Sequence, residues 1–301
     1  MNDFYEGLDN NKKLSIIAGP CVFENSSLAV DIATSLSETC KKYDVNFCFK
    51  MSFDKANRTS SKGYRGQGID LAMNVFDHIE TELGIPTITD VHDSWQAEII
   101  NTSIIQIPAF LCRQTDLLET AAKTGKPVNV KKGQFLSPWE MKNVVDKIEN
   151  LGYNRVIVTE RGTTFGYNNL VVDMRSLEIM KDGSSRGNSY PIVIDCTHAV
   201  QHPGGGGDKS GGDGRFAPVI AKAAVAVGVA GVFMEVHPDP MSSPSDGPNM
   251  IRLDDFEKVL YKLASGGKYQ KKTDAPLISP ATYKTETTRA NANVVSWGGF
   301  G

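Results

Sequence analysis

The chain has 301 residues, 32 Lys+Arg against 35 Asp+Glu, and a formal net charge of −3. Its 40% hydrophobic and 22% charged residues can fill a sizeable core, which excludes a disordered or fibrous chain. The near-neutral balance argues against nucleic-acid or membrane-surface binding, which need a basic excess. No apolar run approaches the roughly 18 residues of a spanning helix. The opening MNDFYEGLDNNKK lacks the apolar stretch of a secretory signal. The expectation is a soluble, cytoplasmic protein.

In chain order, short β-branched runs alternate with longer amphipathic segments. A strand over Leu14–Ala18 precedes a helix over Ser27–Tyr43 that opens on a serine cap. A strand over Asn46–Lys50 precedes a helix over Ile69–Leu83, with Leu71, Val75, Phe76, Ile79 and Leu83 at helical spacing. Strands over Pro86–Thr89 and Ile104–Ile107 flank a helix over Ser94–Ile100. Next come a helix over Asp116–Thr124, a strand over Pro127–Val130, a helix over Pro138–Leu151 and a strand over Arg155–Thr159. A strand over Pro191–Ile194, a helix over Val219–Val227, a strand over Gly231–Met234 and a helix over Leu253–Leu263 complete the pattern. The strands are compact apolar runs, as expected where both faces are buried. Between the seventh strand and the next helix, His202–Arg215 is a glycine-rich loop of the kind that can cover a site.

Eight strands alternating with helices predict a (β/α)₈ TIM barrel over residues 1–265, followed by a polar, weakly periodic extension over 266–301. A doubly wound open sheet has the same periodicity, although no GxGxxG follows the first strand. The placement of reactive residues favours the barrel, because they gather at the C-terminal ends of the strands, where barrel enzymes place their chemistry. Cys21 follows the first strand. Lys50 ends the second, with Lys55, Asn57 and Arg58 just beyond. Asp90, Gln106, Arg113, Lys131, Lys132, Glu160, Arg161, Asp195, His198 and Glu235 hold the equivalent positions on the others.

Two constellations follow. Lys50, Lys55, Arg58, Arg113, Lys131, Lys132 and Arg161 could share one rim, where they imply more than one phosphate or carboxylate on the ligands. The competing reading pairs some of them with Glu160, Asp90 and Asp195 as a structural network. Cys21, His198, Glu235 and Asp246 offer a thiolate, an imidazole and two carboxylates, a mixture suited to a borderline divalent ion such as Zn²⁺, Fe²⁺, Co²⁺ or Mn²⁺. Their spacing is no zinc-finger pattern, His202 and His237 compete as ligands, and a cysteine such as Cys21, taken alone, is more often a small buried hydrophobe than a ligand. The five cysteines (Cys21, Cys40, Cys48, Cys112, Cys196) are odd in number and unpatterned, so they are expected to be reduced and mostly buried.

The stretches IIAGPC, FKMSFDKANRTS, TDVHDSWQAE, IIQIPAFLCRQTDLL, NVKKGQFLSPWEM, TERGTTFGYNNLVVDMRSL, THAVQHPGG and FMEVHPDP run in order from about Leu14 to Leu263. Through them the chain resembles the 3-deoxy-D-manno-octulosonate 8-phosphate synthase family. The resemblance implies a (β/α)₈ barrel, usually a homotetramer. It implies condensation of phosphoenolpyruvate with D-arabinose 5-phosphate and water, releasing inorganic phosphate. By motif, Lys55, Lys131 and Arg161 would hold phosphoenolpyruvate beside Gln106 and Lys50. Asn57, Arg58 and Thr59 would hold the pentose phosphate, with Arg113 arriving from a neighbouring subunit. Lys55, Asp90 and His198 are the candidates for the chemistry itself. A cysteine rather than an asparagine in AGPC marks the metal-dependent kind, with Cys21, His198, Glu235 and Asp246 as ligands to a divalent ion (Zn, Fe, Mn, Co or Cd). The motif reads KANRTS where the family usually has KANRSS, and Thr59 keeps the hydroxyl. The alternatives are the seven-carbon relative that uses erythrose 4-phosphate, which usually carries a KPRT-type motif, and a non-catalytic phosphosugar-binding barrel.

Overall fold

The computed structural model describes residues 3–10, 12–183, 185–205 and 211–266. The expected extension over 266–301 lies almost wholly outside the described residues, as does the middle of the glycine-rich loop. Eight parallel strands close into a barrel: β1 (Ser15–Gly19), β2 (Asn46–Lys50), β3 (Thr87–Asp90), β4 (Ile104–Ile107), β5 (Val128–Lys131), β6 (Val156–Glu160), β7 (Ile192–Asp195) and β8 (Gly231–His237). Each pairs with the next, and β1 pairs with β8 in the register Ile17 opposite Phe233. That last pairing excludes the open sheet. Each expected strand is present within one residue at its start, and β8 runs three residues further than expected.

Helices α1 (Ser26–Lys42), α2 (Ile69–Thr81), α3 (Ser94–Ile99), α4 (Thr115–Lys123), α5 (Met141–Glu149), α6 (Met174–Lys181), α7 (Ala217–Val227) and α8 (Leu253–Gly266) cover the outside. Two expectations need correction. The cap of α1 is Asn25, whose side chain accepts from the Leu28 N–H at 2.9 Å, and Ser26 is already helical. Helix α6 was not foreseen. Its Asp173 cap accepts from Arg175 N–H at 3.0 Å, and its eight residues bury only Ser176, Leu177 and Met180, too short an apolar stripe to stand out.

The strand period of two divides the interior into layers. Ile17, Cys48, Ile88, Ile104, Ile157, Val193 and Phe233 form an inner apolar cluster, one residue from each of seven strands. Phe4, with Tyr5 and Leu8, packs onto it from the N-terminal segment. Two residues further along the same strands stand Gly19, Lys50, Asp90, Gln106, Thr159, Asp195 and Glu235. All six side chains among them are at least nine-tenths buried. β5 adds Asn129 and Lys131. The intervening residues, such as Ile16, Phe49, Ile105, Val130, Val158, Ile194 and Val232, face the helices in the larger core. Gly19 is required where it stands, since a Cβ there would lie 2.0 Å from the Lys50 carbonyl oxygen.

Candidate active site

A cavity of about 500 Å³ opens at the C-terminal ends of the strands. Of the expected site residues, it is lined by Lys50, Lys55, Asn57, Arg58, Thr59, Asp90, Gln106, Lys131, Arg161, His198 and Asp246. Arg113 is not among them. It is exposed on the segment before α4, so within one chain it does not reach the cavity. Lys132 also departs from the rim. It is fully buried, donates to Thr163 Oγ1 at 2.9 Å, and lies 3.5 Å from Glu160. The alternation at the end of β5 turns Lys131 inward and Lys132 outward, so Lys132 follows the structural reading. Glu160 faces outward too, accepting from Ser176 Oγ at 2.8 Å and from the N–H groups of Arg161 and Gly162.

The lining carries six Lys or Arg (Lys50, Lys55, Arg58, Lys62, Lys131, Arg161) against two carboxylates, Asp90 and Asp246. Two of the cations are neutralised from below. Lys50 pairs with Glu235 at 2.7 Å, and Lys131 pairs with Asp195 at 2.6 Å while sitting 3.7 Å above the Phe233 ring. The others have no ion-pair partner within 4.0 Å among the described residues. Lys55 Nζ donates to the Ser52 hydroxyl at 3.0 Å. Arg58 donates to two carbonyls and to Ser245. Arg161 is 5% exposed and donates from Nη2 to Gln201 at 2.7 Å, while its Nη1 is buried with no partner among the described residues. A buried guanidinium nitrogen left unpaired is costly unless a ligand completes it.

Burial works to lower the Lys55 pKa, but Cys21, Asp90, Glu235 and Asp246 outweigh it and hold the ammonium above its usual range. Burial likewise opposes the charge of Asp90, yet His92, Lys55 and Lys50 keep that carboxyl well below the ordinary carboxylate range. Both Asp90 oxygens are engaged, Oδ1 by the Ser52 hydroxyl and Oδ2 by His92 Nε2 at 3.0 Å. Gln106 Oε1 accepts from Asn129, whose own Oδ1 accepts from Thr159, so a hydrogen-bonded row floors the cavity.

Beside the cationic face lies a cluster of soft and hard donors. Ligand atoms of Cys21, His198 and Asp246 all lie within 4.8 Å of one another. His198 Nδ1 bonds Asp195 Oδ2 at 2.6 Å, which turns Nε2 toward Glu235 Oε1 (3.7 Å) and Asp246 Oδ2 (3.9 Å). A histidine anchored on a carboxylate through one nitrogen and free at the other is the usual state of a metal-binding imidazole. Glu235 stands outside the tight group of three. Its Oε1 is held by Lys50, and its Oε2 is buried with no partner among the described residues. Burial pushes the Cys21 thiol up to about 12, and a cation beside it would reverse that. The sulfur, imidazole and carboxylate donors, with one orphaned carboxylate oxygen next to them, fit a borderline divalent ion.

The competing ligands fall away. His237 is engaged with Glu24 at 3.1 Å and with the Asp239 backbone, and His202 is exposed on a two-stranded ribbon. Cys196 points out of the barrel into the helix-facing core, donating to the Phe233 carbonyl at 3.4 Å. All five cysteines are free and buried. Sequence reasoning missed Ser52, His92, Gln134, Gln201 and Ser245, all on the cavity wall. His92 and Ser52 each follow a strand end by two residues and could have been found by extending the period of two past the strand. Gln201 opens the short ribbon that carries His202, and Ser245 lies on the loop after β8, and neither carries such a signal.

The fold and the cavity define a (β/α)₈ barrel with a cation-rich cavity at the C-terminal face of its strands. The DAHP synthetase I family model matches residues 3–271, and the chain belongs to that family. The chain is 55% identical over 256 residues to the 2-dehydro-3-deoxyphosphooctonate aldolase of Chelativorans sp. (strain BNC1), covering 84% of this chain and 91% of the relative. It is 53% identical over 269 residues to the protein of the same name from Nitrobacter hamburgensis, covering 89% and 92%. Identity to the Bradyrhizobium diazoefficiens protein of that name is 54% over 256 residues, covering 84% and 89%.

Proposed function

We propose that this chain condenses phosphoenolpyruvate with D-arabinose 5-phosphate and water, giving 3-deoxy-D-manno-octulosonate 8-phosphate and inorganic phosphate. The observation that carries the reading is the excess of cations on the cavity wall, six against two carboxylates, with Arg161 Nη1 buried and without a partner among the described residues. Two substrates with two phosphates and one carboxylate supply the anions that set lacks. The name shared by the relatives favours the eight-carbon product, and KANRT in place of KPRT agrees with it.

Lys55, Lys131 and Arg161 bind the carboxylate and phosphate of phosphoenolpyruvate, with Lys50 and Gln106 beneath them. Asn57, Arg58 and Thr59 bind the pentose phosphate, and Arg113 of a neighbouring copy in a homotetramer completes that site. C3 of phosphoenolpyruvate attacks the aldehyde carbon, water adds at C2, and the hemiketal phosphate expels inorganic phosphate by C–O cleavage. Holding the two substrates in line supplies a large part of the rate. Lys55 faces developing negative charge as a fixed ammonium. His198, turned by Asp195, presents Nε2 to the reacting region. Asp90 acts through its neighbours, fixing the Ser52 hydroxyl that orients Lys55 and holding His92. Cys21, His198 and Asp246, with Glu235 moving its free oxygen toward them, would hold a divalent metal of the Zn, Fe, Mn, Co or Cd class. Such an ion supplies Lewis acidity, orienting water or polarising the aldehyde.

We place the activity in residues 1–265 and in the cytoplasm. Among the described residues, no helix is long and apolar enough to cross a membrane. The test is phosphate release from phosphoenolpyruvate by chelator-treated protein given arabinose 5-phosphate and then Mn²⁺. Release only after Mn²⁺ is the expected result. Release from fully stripped protein would keep the reaction and remove the metal. No release in either state would return the seven-carbon reaction with erythrose 4-phosphate, or a non-catalytic barrel, to consideration.

A further inference from the structure

Ser245 stands where the two halves of the site meet. It is 3% exposed, on the loop after β8, and its hydroxyl reaches three side chains. Oγ accepts from Arg58 Nη1 at 2.8 Å and from Cys21 Sγ at 3.2 Å, and it donates to Asp246 Oδ2 at 3.0 Å. One donor and two lone pairs are all a hydroxyl has. The oxygen is therefore saturated by one residue from the pentose-phosphate arm and two from the donor cluster.

The surroundings hold this atom in place. Arg58 Nε donates to the Tyr64 carbonyl at 2.7 Å and Nη2 to the Pro244 carbonyl at 3.4 Å, so the guanidinium lies against the Pro244–Ser245 segment, with no carboxylate partner among the described residues. Ser243 Oγ donates to the Ser245 carbonyl at 3.1 Å. Asp246 sits in the left-handed region at φ 55°, a conformation Asp tolerates better than most side chains. This geometry aims its carboxylate back at Cys21, whose Sγ is 3.1 Å from Oδ2. Arg58, Cys21 and Asp246 come from three separate loops, and among the described residues Ser245 Oγ is the atom hydrogen-bonded to all three.

We infer that Ser245 is a positioning residue that couples the pentose-phosphate arm to the Cys21–His198–Asp246 cluster, so that filling one side tightens the other. The inference rests on the reading given under Proposed function. A phosphate on Arg58 fixes the guanidinium, which fixes Oγ, whose hydrogen holds Asp246 in one ligand geometry beside Cys21, the thiol losing its proton when the sulfur takes a cation. By linkage the effect is reciprocal: a cation on the cluster orders Arg58 for phosphate by the same factor. Replacing the hydroxyl removes the joint and leaves every charge in place.

The experiment titrates Co²⁺ into stripped protein and follows the thiolate charge-transfer absorption, with and without arabinose 5-phosphate. The proteins are wild type, Ser245→Ala and Ser245→Thr. In the wild type, Co²⁺ is expected to bind more tightly when the sugar phosphate is present. Ser245→Ala is expected to weaken Co²⁺ by about tenfold, the lower end of what loss of a ligand's supporting partner costs, and to abolish the effect of the sugar phosphate. Its KM for arabinose 5-phosphate rises while KM for phosphoenolpyruvate holds, and Ser245→Thr restores both readouts. Equal Co²⁺ affinity in the wild type with and without the sugar phosphate would overturn the coupling, and that comparison needs no variant to fold. Coupling that survives in Ser245→Ala would place its origin in direct contact between sugar and ion and would also overturn the role of Ser245. Wild type that binds Co²⁺ with the expected coupling but releases no phosphate from phosphoenolpyruvate would sink the proposed reaction and leave the inference standing.

Discussion

Two layers of the barrel interior, one residue pair apart on the same strands, behave as different materials. The lower layer, with Ile17, Ile88, Ile104, Val193 and Phe233, is apolar and closed by Phe4. The upper layer, with Lys50, Asp90, Gln106, Asp195 and Glu235, is as deeply buried yet wholly polar. The lower layer gains from burial alone, roughly 25 cal/mol for each Å² of apolar surface removed from water. The upper layer carries the cost of buried charge, offset by the Lys50–Glu235 and Lys131–Asp195 pairs and by a row of hydrogen bonds. Two atoms in and just above it, Glu235 Oε2 and Arg161 Nη1, are buried without a partner among the described residues, and that is where we propose ligands act. The comparison teaches that depth in this barrel does not separate structure from function, whereas position along the strand does.

The sharpest way to break that comparison is to remove the unpaired group. Arg161→Ala is expected to lower kcat/KM for phosphoenolpyruvate by about 100- to 1000-fold, the cost of losing one pre-positioned donor. Its unfolding midpoint should hold or rise, since an uncompensated buried charge is gone. Steady-state kinetics and a denaturant melt on the same preparation decide it, and a large loss of stability with intact kinetics would reverse the roles of the layers. The counterpart below is Ile17→Ala, which should cost about 2–5 kcal/mol of stability and leave both KM values unchanged. A shifted KM there would show that the lower layer reaches the chemistry.

A smaller effect separates the layers by pH. The folded pKa of Asp90 lies well below its ordinary value because His92, Lys55 and Lys50 outweigh its burial. Its stabilising contribution is therefore fully present above the unfolded value of about 3.9 and lost as pH falls through the folded one. The difference in unfolding midpoint between wild type and Asp90→Asn should be flat down to about pH 5 and close in stronger acid. A difference that widens in acid would mean the carboxyl is held in its neutral form. The smallest effect is at Arg113, exposed and outside the cavity of its own chain. Arg113→Ala should leave the unfolding midpoint alone and raise KM for arabinose 5-phosphate only where a neighbouring copy contributes it. Kinetics across a dilution series read that directly, and an unchanged KM would remove Arg113 from the site.

Much of this was legible in the sequence. All eight barrel strands were, because buried parallel strands write themselves as compact apolar runs between turn residues. Helix α6 was not, since eight residues carry too little of the 3.6-residue period. The sequence gathers the reactive residues at the strand ends but does not assign the faces of two adjacent pairs. Lys131 faces the cavity and Lys132 the helices, and Arg161 faces in and Glu160 out. The period of two contains that answer once the strand boundaries are known to a single residue.

The sequence by itself determined the element order, the alternation that layers the barrel, and the chemical types available at its rim, because these depend on neighbours a few positions apart. The tertiary structure decided which of those groups are spent on each other and which remain. Lys131 meets Asp195 across 64 positions, Arg161 meets Gln201 across 40, and Cys21 meets Ser245 across 224. Such pairings follow from closure of the sheet and from the paths of irregular loops. Neither leaves a periodic trace in the chain, and so the free valences of the site exist only in three dimensions.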